Sequence, residues 1–538
     1  MTSCFVNGHV FDGKTCSDNC FVVKDGRFVF SGTLKDAQHA FPDAQYIDLH
    51  GHFVCPGFND SHMHLLNLGQ MLMQAQLAPA TDSLKHVLWE LQDYVRTHPH
   101  EPFIEGRGWN QDYFTDECRY PTRDDLDHVC PDRPSLITRA CGHVAVANSA
   151  ALQMAGIDSA APEVDGGRVV TDDSGRPNGV LEENAIELVT RIIPVPSRQQ
   201  FKDSLRRGMQ HVAGFGITSV QSDDFSSTKA SFEEVLAAYL ELKAEGLMTV
   251  RVYEQCLLAD TQTLNRFLSL GYHTGWGDEW FKIGPLKLIT DGSLGSRTAL
   301  LKTPYDDAPD TCGIATYAQD ALDEMILNAH RAGMQVAAHA IGDAAAERVL
   351  TSVRRAQNQY PRKDARHGIV HAQIMTQDQA KEMKELGMHA YIQPIFLDYD
   401  TKIVYPRLGS RADEAYPAKS LLSLGVTVSG GSDSPVEPPD VMTGIQCAVT
   451  RRPVTRNAQT PYLPHEALCV AEALRLFTAD GAYASFEEDI KGQIRPGMLA
   501  DFTILSKNPF ESDESSLHAI RICETYVGGK ATQHTFTF

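Results

Sequence analysis

Two histidines one residue apart, in Asn59-Asp60-Ser61-His62-Met63-His64, close an extended, strand-like segment. Residues i and i+2 of an extended backbone point to the same side, so both imidazoles can reach one ion. Asp60 adds an acidic neighbour able to orient such a ligand. Three later segments end on the same residue types: Met-Gln-Val-Ala-Ala-His339, His-Gly-Ile-Val-His371 and Thr-Val-Ser-Gly-Gly-Ser-Asp433. Taken singly, each fits an ordinary role, as a hydrogen-bonded core histidine or a helix-capping aspartate. Together they form the donor set of a divalent cation, and a water activated by such an ion is a nucleophile near neutral pH. Lys287 stands mid-strand in Ile-Gly-Pro-Leu-Lys287-Leu-Ile-Thr-Asp291. A buried ammonium needs a partner or a modification. Either Lys287 pairs with a carboxylate such as Asp291, or its amine takes up CO₂ as a carbamate. The carbamate would be an anionic ligand able to bridge two metals.

These residues converge only if the strands carrying them share one sheet. Strand patterns fall at Thr218–Gln221, Val250–Gln255, Gly284–Thr290, Gln335–His339, Gly368–His371, Ala390–Pro394 and Val426–Ser429, with helical patterns such as Ala321–Ala332 and Ala344–Val353 between them. Repeated strand–helix alternation predicts a parallel sheet covered by helices. Adding Val54–Phe58 as the first strand gives the eight of a (β/α)₈ TIM-type barrel, whose carboxy-terminal strand ends meet on one face. An open doubly wound sheet is the alternative, but no glycine fingerprint for phosphates follows any strand. Both chain ends are β-patterned, with Asp12-Gly13 and Asp25-Gly26 turns near the start and strands at Asp501–Leu505 and Ile522–Val527. They predict a small β-sandwich domain from residues 1–55 plus 485–538, around a barrel of 56–75 plus 205–484. Residues 76–204 interrupt the alternation with an amphipathic helix (Leu84, Val87, Leu88, Leu91, Val95) and a turn-rich stretch. An insertion in a βα loop predicts an α+β lid over the catalytic face.

The 538 residues carry 48 Lys+Arg against 69 Asp+Glu, a net charge of −21. That balance excludes a general nucleic-acid binder and docking on an anionic membrane. None of the twelve cysteines forms a C-x-x-C pair, as expected of reduced thiols in a cytoplasmic protein. The first residues lack a basic, then apolar, leader pattern, and no apolar run is long enough to span a bilayer.

With these motifs in this order the sequence resembles the amidohydrolase superfamily, specifically its amidohydrolase-3 group of YtcJ-like metal-dependent hydrolases. The likeness runs from Pro56-Gly57 and His62-x-His64 through Arg107-Gly108-Trp109, Gly142-His143 and Asn148-Ser149. It continues in Lys287-x₃-Asp291-Gly292, His339-Ala-Ile-Gly-Asp343, His371-Ala-Gln373, Gln393-Pro394, Gly431-Ser432-Asp433 and Gly497-x₂-Ala500-Asp501. Two positions depart from the group: Val370, where an acidic residue is frequent, and Ala344, where an arginine is. The resemblance implies one or two divalent ions, such as Zn²⁺. His62 and His64 would hold the first and His339 and His371 the second, with Lys287 as a bridging carbamate. Asp433 would contact the site and act as general base, taking a proton from the attacking water and returning it to the leaving nitrogen. His143, Arg107, Trp109 and Asp291 would bind substrate, and Trp109, Tyr113 and Phe396 could form apolar walls. The expected activity is hydrolysis of a non-peptide carbon–nitrogen bond, an N-acyl or N-formyl amide of a small molecule, by a homodimer. A cyclic-amide hydrolase or amidine deaminase is the nearest alternative. A non-catalytic binding protein of this fold is the other, and retention of every metal-type side chain speaks against it.

Overall fold

The computed structural model describes residues 2–534 apart from 18, 158–159, 226, 259 and 456–459. Eight strands form one parallel sheet: β1 (Phe58–Met63), β2 (Ile217–Ser222), β3 (Arg251–Leu257), β4 (Phe281–Ile289), β5 (Val336–Ala340), β6 (Gly368–His371), β7 (His389–Ile392) and β8 (Thr427–Gly430). Each is paired with its sequence neighbour, the pattern of consecutive right-handed βα units. The two end strands are joined just past β8: Asp433 N–H donates to His62 O at 2.8 Å, His64 N–H to Ser434 O at 2.7 Å, and Ser61 Oγ to Gly430 O at 2.8 Å. Asp60, wholly buried, accepts from Ser432 N and Oγ across the same seam. This closure makes the sheet a TIM-type barrel.

Helices cover the sheet where the apolar period is helical. Gln319–Arg331 buries Leu322, Met325, Ile326 and Ala329, and Asp343–Gln359 buries Val349, Leu350 and Val353, the faces their sequences predict. Gln377–Glu385 starts on a reciprocal cap between Thr376 and Gln379.

Both chain ends build two further sheets. Arg27–Gly32, Cys20–Lys24, Thr2–Val6 and Gln45–Asp48 form one; Lys530–His534, Ile522–Val527, Phe502–Leu505, Phe53–Pro56, His9–Phe11 and Cys16–Ser17 form the other. Their inner faces share a core of Phe5, Phe21 and Phe28 with Val54, Phe502 and Ile504. The Phe5 and Phe21 rings stack at 4.9 Å and those of Phe502 and Tyr526 at 4.4 Å.

One strand departs from expectation. Val54–Phe58 is not the first barrel strand: Phe53–Pro56 pairs antiparallel with Phe502–Leu505, and β1 begins only at Phe58. The chain changes sheets at Gly57, whose N–H donates to Asp501 O while Phe58 N–H donates to Gly216 O. A Cβ at residue 57 would lie 2.2 Å from Thr218, so only glycine fits this crossing.

The chain divides into two compact units, one of Met1–Leu68 with Leu205–Phe538 and the other of Gly69–Ser204. The second has its own six-stranded mixed sheet, ordered Gly167–Thr171, Pro177–Glu183, Val144–Ala147, Ser135–Arg139, Ile104–Trp109, Ala75–Gln76. Helix Leu84–Thr97 buries Leu84, Val87 and Leu91 against it. No helix among the described residues is long and apolar enough to cross a membrane, and their cysteines are all unpaired.

Candidate metal centre

The ends of β1, β4, β5 and β6 and the turn after β8 bring the expected ligand residues to one mouth of the barrel. His62 Nε2 and His64 Nε2 lie 3.3 and 3.2 Å from Asp433 Oδ1. One donor atom from each of the three falls within 4.8 Å of the others. The His371 ring is 5.8 Å from that of His62 and 4.5 Å from that of His339, so the second pair adjoins the first. Lys287 Nζ reaches His62 Nε2 at 3.2 Å.

All four imidazoles are tied at Nδ1. His62 Nδ1 meets Gln255 Oε1 at 2.8 Å, His64 Nδ1 the carbonyl of Asp223 at 2.9 Å, His339 Nδ1 Asp291 Oδ1 at 2.9 Å and His371 Nδ1 Gln393 Oε1 at 2.7 Å. The amide orientations are fixed in turn, because Gln255 Nε2 donates to Ser61 O and Gln393 Nε2 to Tyr391 O. Each ring therefore donates from Nδ1, which leaves Nε2 as the atom available to an ion. Four imidazoles held this way fit a metal centre.

Backbone strain concentrates at the same place. His371, Ala372 and Asp433 have φ of 75°, 44° and 60°, left-handed values costing about 1–3 kcal/mol each for residues other than glycine.

Charge is distributed unevenly. Burial first, then the neighbouring Lys287 charge, pushes His62 down to about 4. Burial acts in the same direction on His64, but its hydrogen bond to Asp433 and the Asp223 charge push it up to about 9. Burial and the nearby His339 hold His371 well below its ordinary value. Burial would raise the Asp433 carboxyl, yet hydrogen bonds from His62 and His64 hold it well below the usual carboxylate range. Burial lowers the Lys287 amine, against the pull of Asp223 and Asp433.

Several expected roles fall differently. Lys287 is not paired with Asp291; its carboxylate neighbour is Asp223 Oδ2 at 3.5 Å. Asp291 is spent on His339 and on the amides of Leu300, Ile341 and Gly342, so it holds the His339 ring in place. Trp109 is wholly buried in the core of the 69–204 unit, with Nε1 donating to Ile137 O, and offers no face to a ligand. Arg107 lies half-buried on Ile104–Trp109 of that unit. His143 is solvent-exposed, 2.9 Å from Glu183 Oε2, and Tyr113 is exposed. Phe396 stacks on the His371 ring at 5.8 Å. Gln255 and Asp223 were missed. The available signal for Gln255 was its place at the end of the strand pattern Val250–Gln255.

A barrel whose strand ends carry this donor set defines a class, the metal-dependent hydrolases. Residues 45–533 match the profile of the Amidohydrolase family, and the chain belongs to that family. YtcJ of Bacillus subtilis (strain 168) is 35% identical over 512 residues, covering 94% of each chain. The N-substituted formamide deformylase of Arthrobacter pascens is 27% identical over 546 residues, covering 97% of this chain and 96% of that one. Among solved structures, an uncharacterized metal-dependent hydrolase from Pyrococcus furiosus superposes with a TM-score of 0.79 at 29% identity, over 95% of this chain and all of that one.

Proposed function

We propose that this protein hydrolyses a non-peptide carbon–nitrogen bond of a small molecule, of the N-acyl or N-formyl amide type. The observation that carries this reading is the set of four neighbouring imidazoles with Nδ1 occupied, two of which, His62 and His64, bring Nε2 to Asp433. The formamide deformylase relative supports the N-formyl choice. Imidazole nitrogens with one carboxylate suit Zn²⁺ among common divalent ions. His62, His64 and Asp433 would hold one ion and His339 and His371 a second. A cation there supplies Lewis acidity, lowering the pKa of a water and polarising the amide carbonyl.

The chain's own groups do the rest. Asp433 is ionised and bonded to two imidazoles, so it is placed to accept the proton of the attacking water and pass it to the leaving nitrogen. His62 and His371, held neutral by burial, keep their lone pairs for coordination. Lys287 is the residue able to add a further anionic oxygen. Its free amine would attack CO₂: the N–C bond forms as one C=O π pair moves onto oxygen, and the nitrogen gives up one proton to water, leaving the anionic carbamate.

A chelator-controlled screen of N-formyl, N-acyl and cyclic amides, with metal content measured in parallel, tests the reading. Turnover of formyl or acyl amides that chelation abolishes and Zn²⁺ restores is expected. Asp433→Asn should retain much of the metal and lose about 10²–10⁴-fold in kcat. No amide turnover by the metal-loaded protein would refute it.

A further inference from the structure

Of the four imidazoles at the barrel mouth, His64 alone is held at Nδ1 by a backbone carbonyl, that of Asp223 at 2.9 Å. The peptide group that supplies this carbonyl also carries the Asp224 N–H, which donates to Glu254 Oε1 at 3.0 Å. One amide therefore stands between a carboxyl group and a candidate metal ligand. Glu254 lies on β3 beside Gln255, whose Oε1 meets Nδ1 of His62 at 2.8 Å. Two adjacent residues of one strand thus serve both imidazoles of the His62–His64 pair, one directly and one through a peptide. The turn between them is clamped to the chain around His64. Asp223 N–H donates to Met63 O at 2.9 Å, Leu65 N–H to Ser222 Oγ at 2.7 Å and Leu66 N–H to Asp224 Oδ1 at 2.8 Å. Tyr239 Oη donates to Asp224 Oδ2. Asp223, Asp224 and Glu254 are all wholly buried.

We propose that Glu254 is a positioning residue of the metal centre, acting on His64 through the Asp223–Asp224 peptide group. The proposal rests on the reading of this site as a metal centre. An acceptor at the amide N–H leaves more electron density on the carbonyl oxygen, and hydrogen bonds chained in this way strengthen one another. A stronger acceptor at Nδ1 fixes the plane of the His64 ring and makes its other nitrogen a better donor to an ion. That nitrogen, Nε2, stands 3.2 Å from Asp433 Oδ1. Burial first, then the Asp224 charge, push the Glu254 carboxyl well above its ordinary value. The accepting oxygen then belongs to a neutral acid, which a glutamine amide reproduces.

The test follows the Nδ1 protons of His62 and His64 by NMR in protein made with isotope-labelled histidine, each assigned by its loss in His62→Gln or His64→Gln. Zn²⁺ affinity is read beside it by competition with a chromophoric chelator. Glu254→Leu removes the acceptor: the His64 proton should move upfield, the His62 proton should stay, and Zn²⁺ affinity should fall about tenfold. Glu254→Gln should hold all three at wild-type values, a rescue that a packing role alone does not predict. Where Glu254→Leu does not fold, Glu254→Asp withdraws the carboxyl by one methylene and should act in the same direction. A His64 proton unmoved in the folded variant overturns the proposal, as does one that moves equally in Glu254→Gln. Protons of both rings shifting together, or Zn²⁺ affinity left unchanged, overturn it as well. A wild-type protein that takes up no Zn²⁺ refutes the metal-centre reading, and the two protons then decide the link on their own.

Discussion

Gln255 and Gln393 touch no ion themselves, yet each fixes the ring that would. Replacing either with Leu keeps roughly the same volume and removes the acceptor at Nδ1, freeing the imidazole to rotate or change tautomer. Metal affinity in Gln255→Leu and Gln393→Leu should fall about 10–100-fold, read by competition with a chromophoric chelator, while the melting temperature of the metal-free protein stays close to wild type. Affinity unchanged in both would mean that the rings are held by packing alone. This scale also marks how far the sequence could be read. His62, His64, His339, His371, Lys287 and Asp433 stand out because titratable side chains end apolar strands. Gln255 and Asp223 do not, because a lone amide or acid near a strand end resembles any solvated polar residue until the partner across the barrel is known. Asp291 was legible as a functional position but not as the holder of His339, since its three backbone partners lie in loops that sequence does not place. Trp109 was misjudged for the converse reason, an aromatic in a conspicuous motif being most often core.

Between elements, buried charge and buried imidazole decide which conditions the barrel tolerates. His330 on helix Gln319–Arg331 and His367 before β6 form a relay of fixed direction. Val336 N–H donates to His367 Nδ1, His367 Nε2 donates to His330 Nδ1 at 2.7 Å, and His330 Nε2 donates to Tyr360 O at 2.6 Å. Every ring nitrogen is committed, so neither imidazole can add a proton without breaking a bond. Burial accordingly lowers both below 6.5, and His367 well below. A group depressed in the folded state binds its proton more readily unfolded, so its stability is complete above pH 6.5 and declines as pH falls below it. The melting temperature should drop between pH 7 and 5, and less steeply in His330→Gln, whose amide can accept and donate without titrating. Equal slopes would remove the relay from the account. A second cluster acts lower on the scale. Burial opposes ionisation of Glu487, but Lys491 and Lys282 hold its carboxyl down to about 2. Its contribution is therefore present above about 4.5 and lost toward 2. Element boundaries show where sequence reading stops. The apolar run around Gly57 reads as one strand because residues on both sides of it are buried, and only the backbone partners separate the two sheets.

For the molecule as a whole, the barrel is fastened to the terminal sheets by a buried ion pair. Arg251 on β3 meets Asp501 through Nε at 2.7 Å and Nη2 at 3.1 Å, its guanidinium lying 4.4 Å from the Trp280 ring. Both partners are under 5% exposed. Asp501→Ala strands the cation, and a loss of about 3–5 kcal/mol in unfolding free energy is expected by denaturant titration. A loss below about 1 kcal/mol would mean that water reaches Arg251 in the variant. Asp501 belongs to a motif that sequence comparison alone would place among functional residues; its bonds assign it to architecture.

The pairing of Phe53–Pro56 with Phe502–Leu505 has a consequence for synthesis. Cys55 and Thr503 stand side by side across 448 residues of chain. A strand made among the first must wait, its hydrogen-bonding edge bare, until nearly the last residues leave the ribosome. During that interval the edge is a template for association with any other unpaired strand. A chain cut short near residue 500 would keep every metal-type side chain and leave that edge unpaired, and it should aggregate more readily than the full chain.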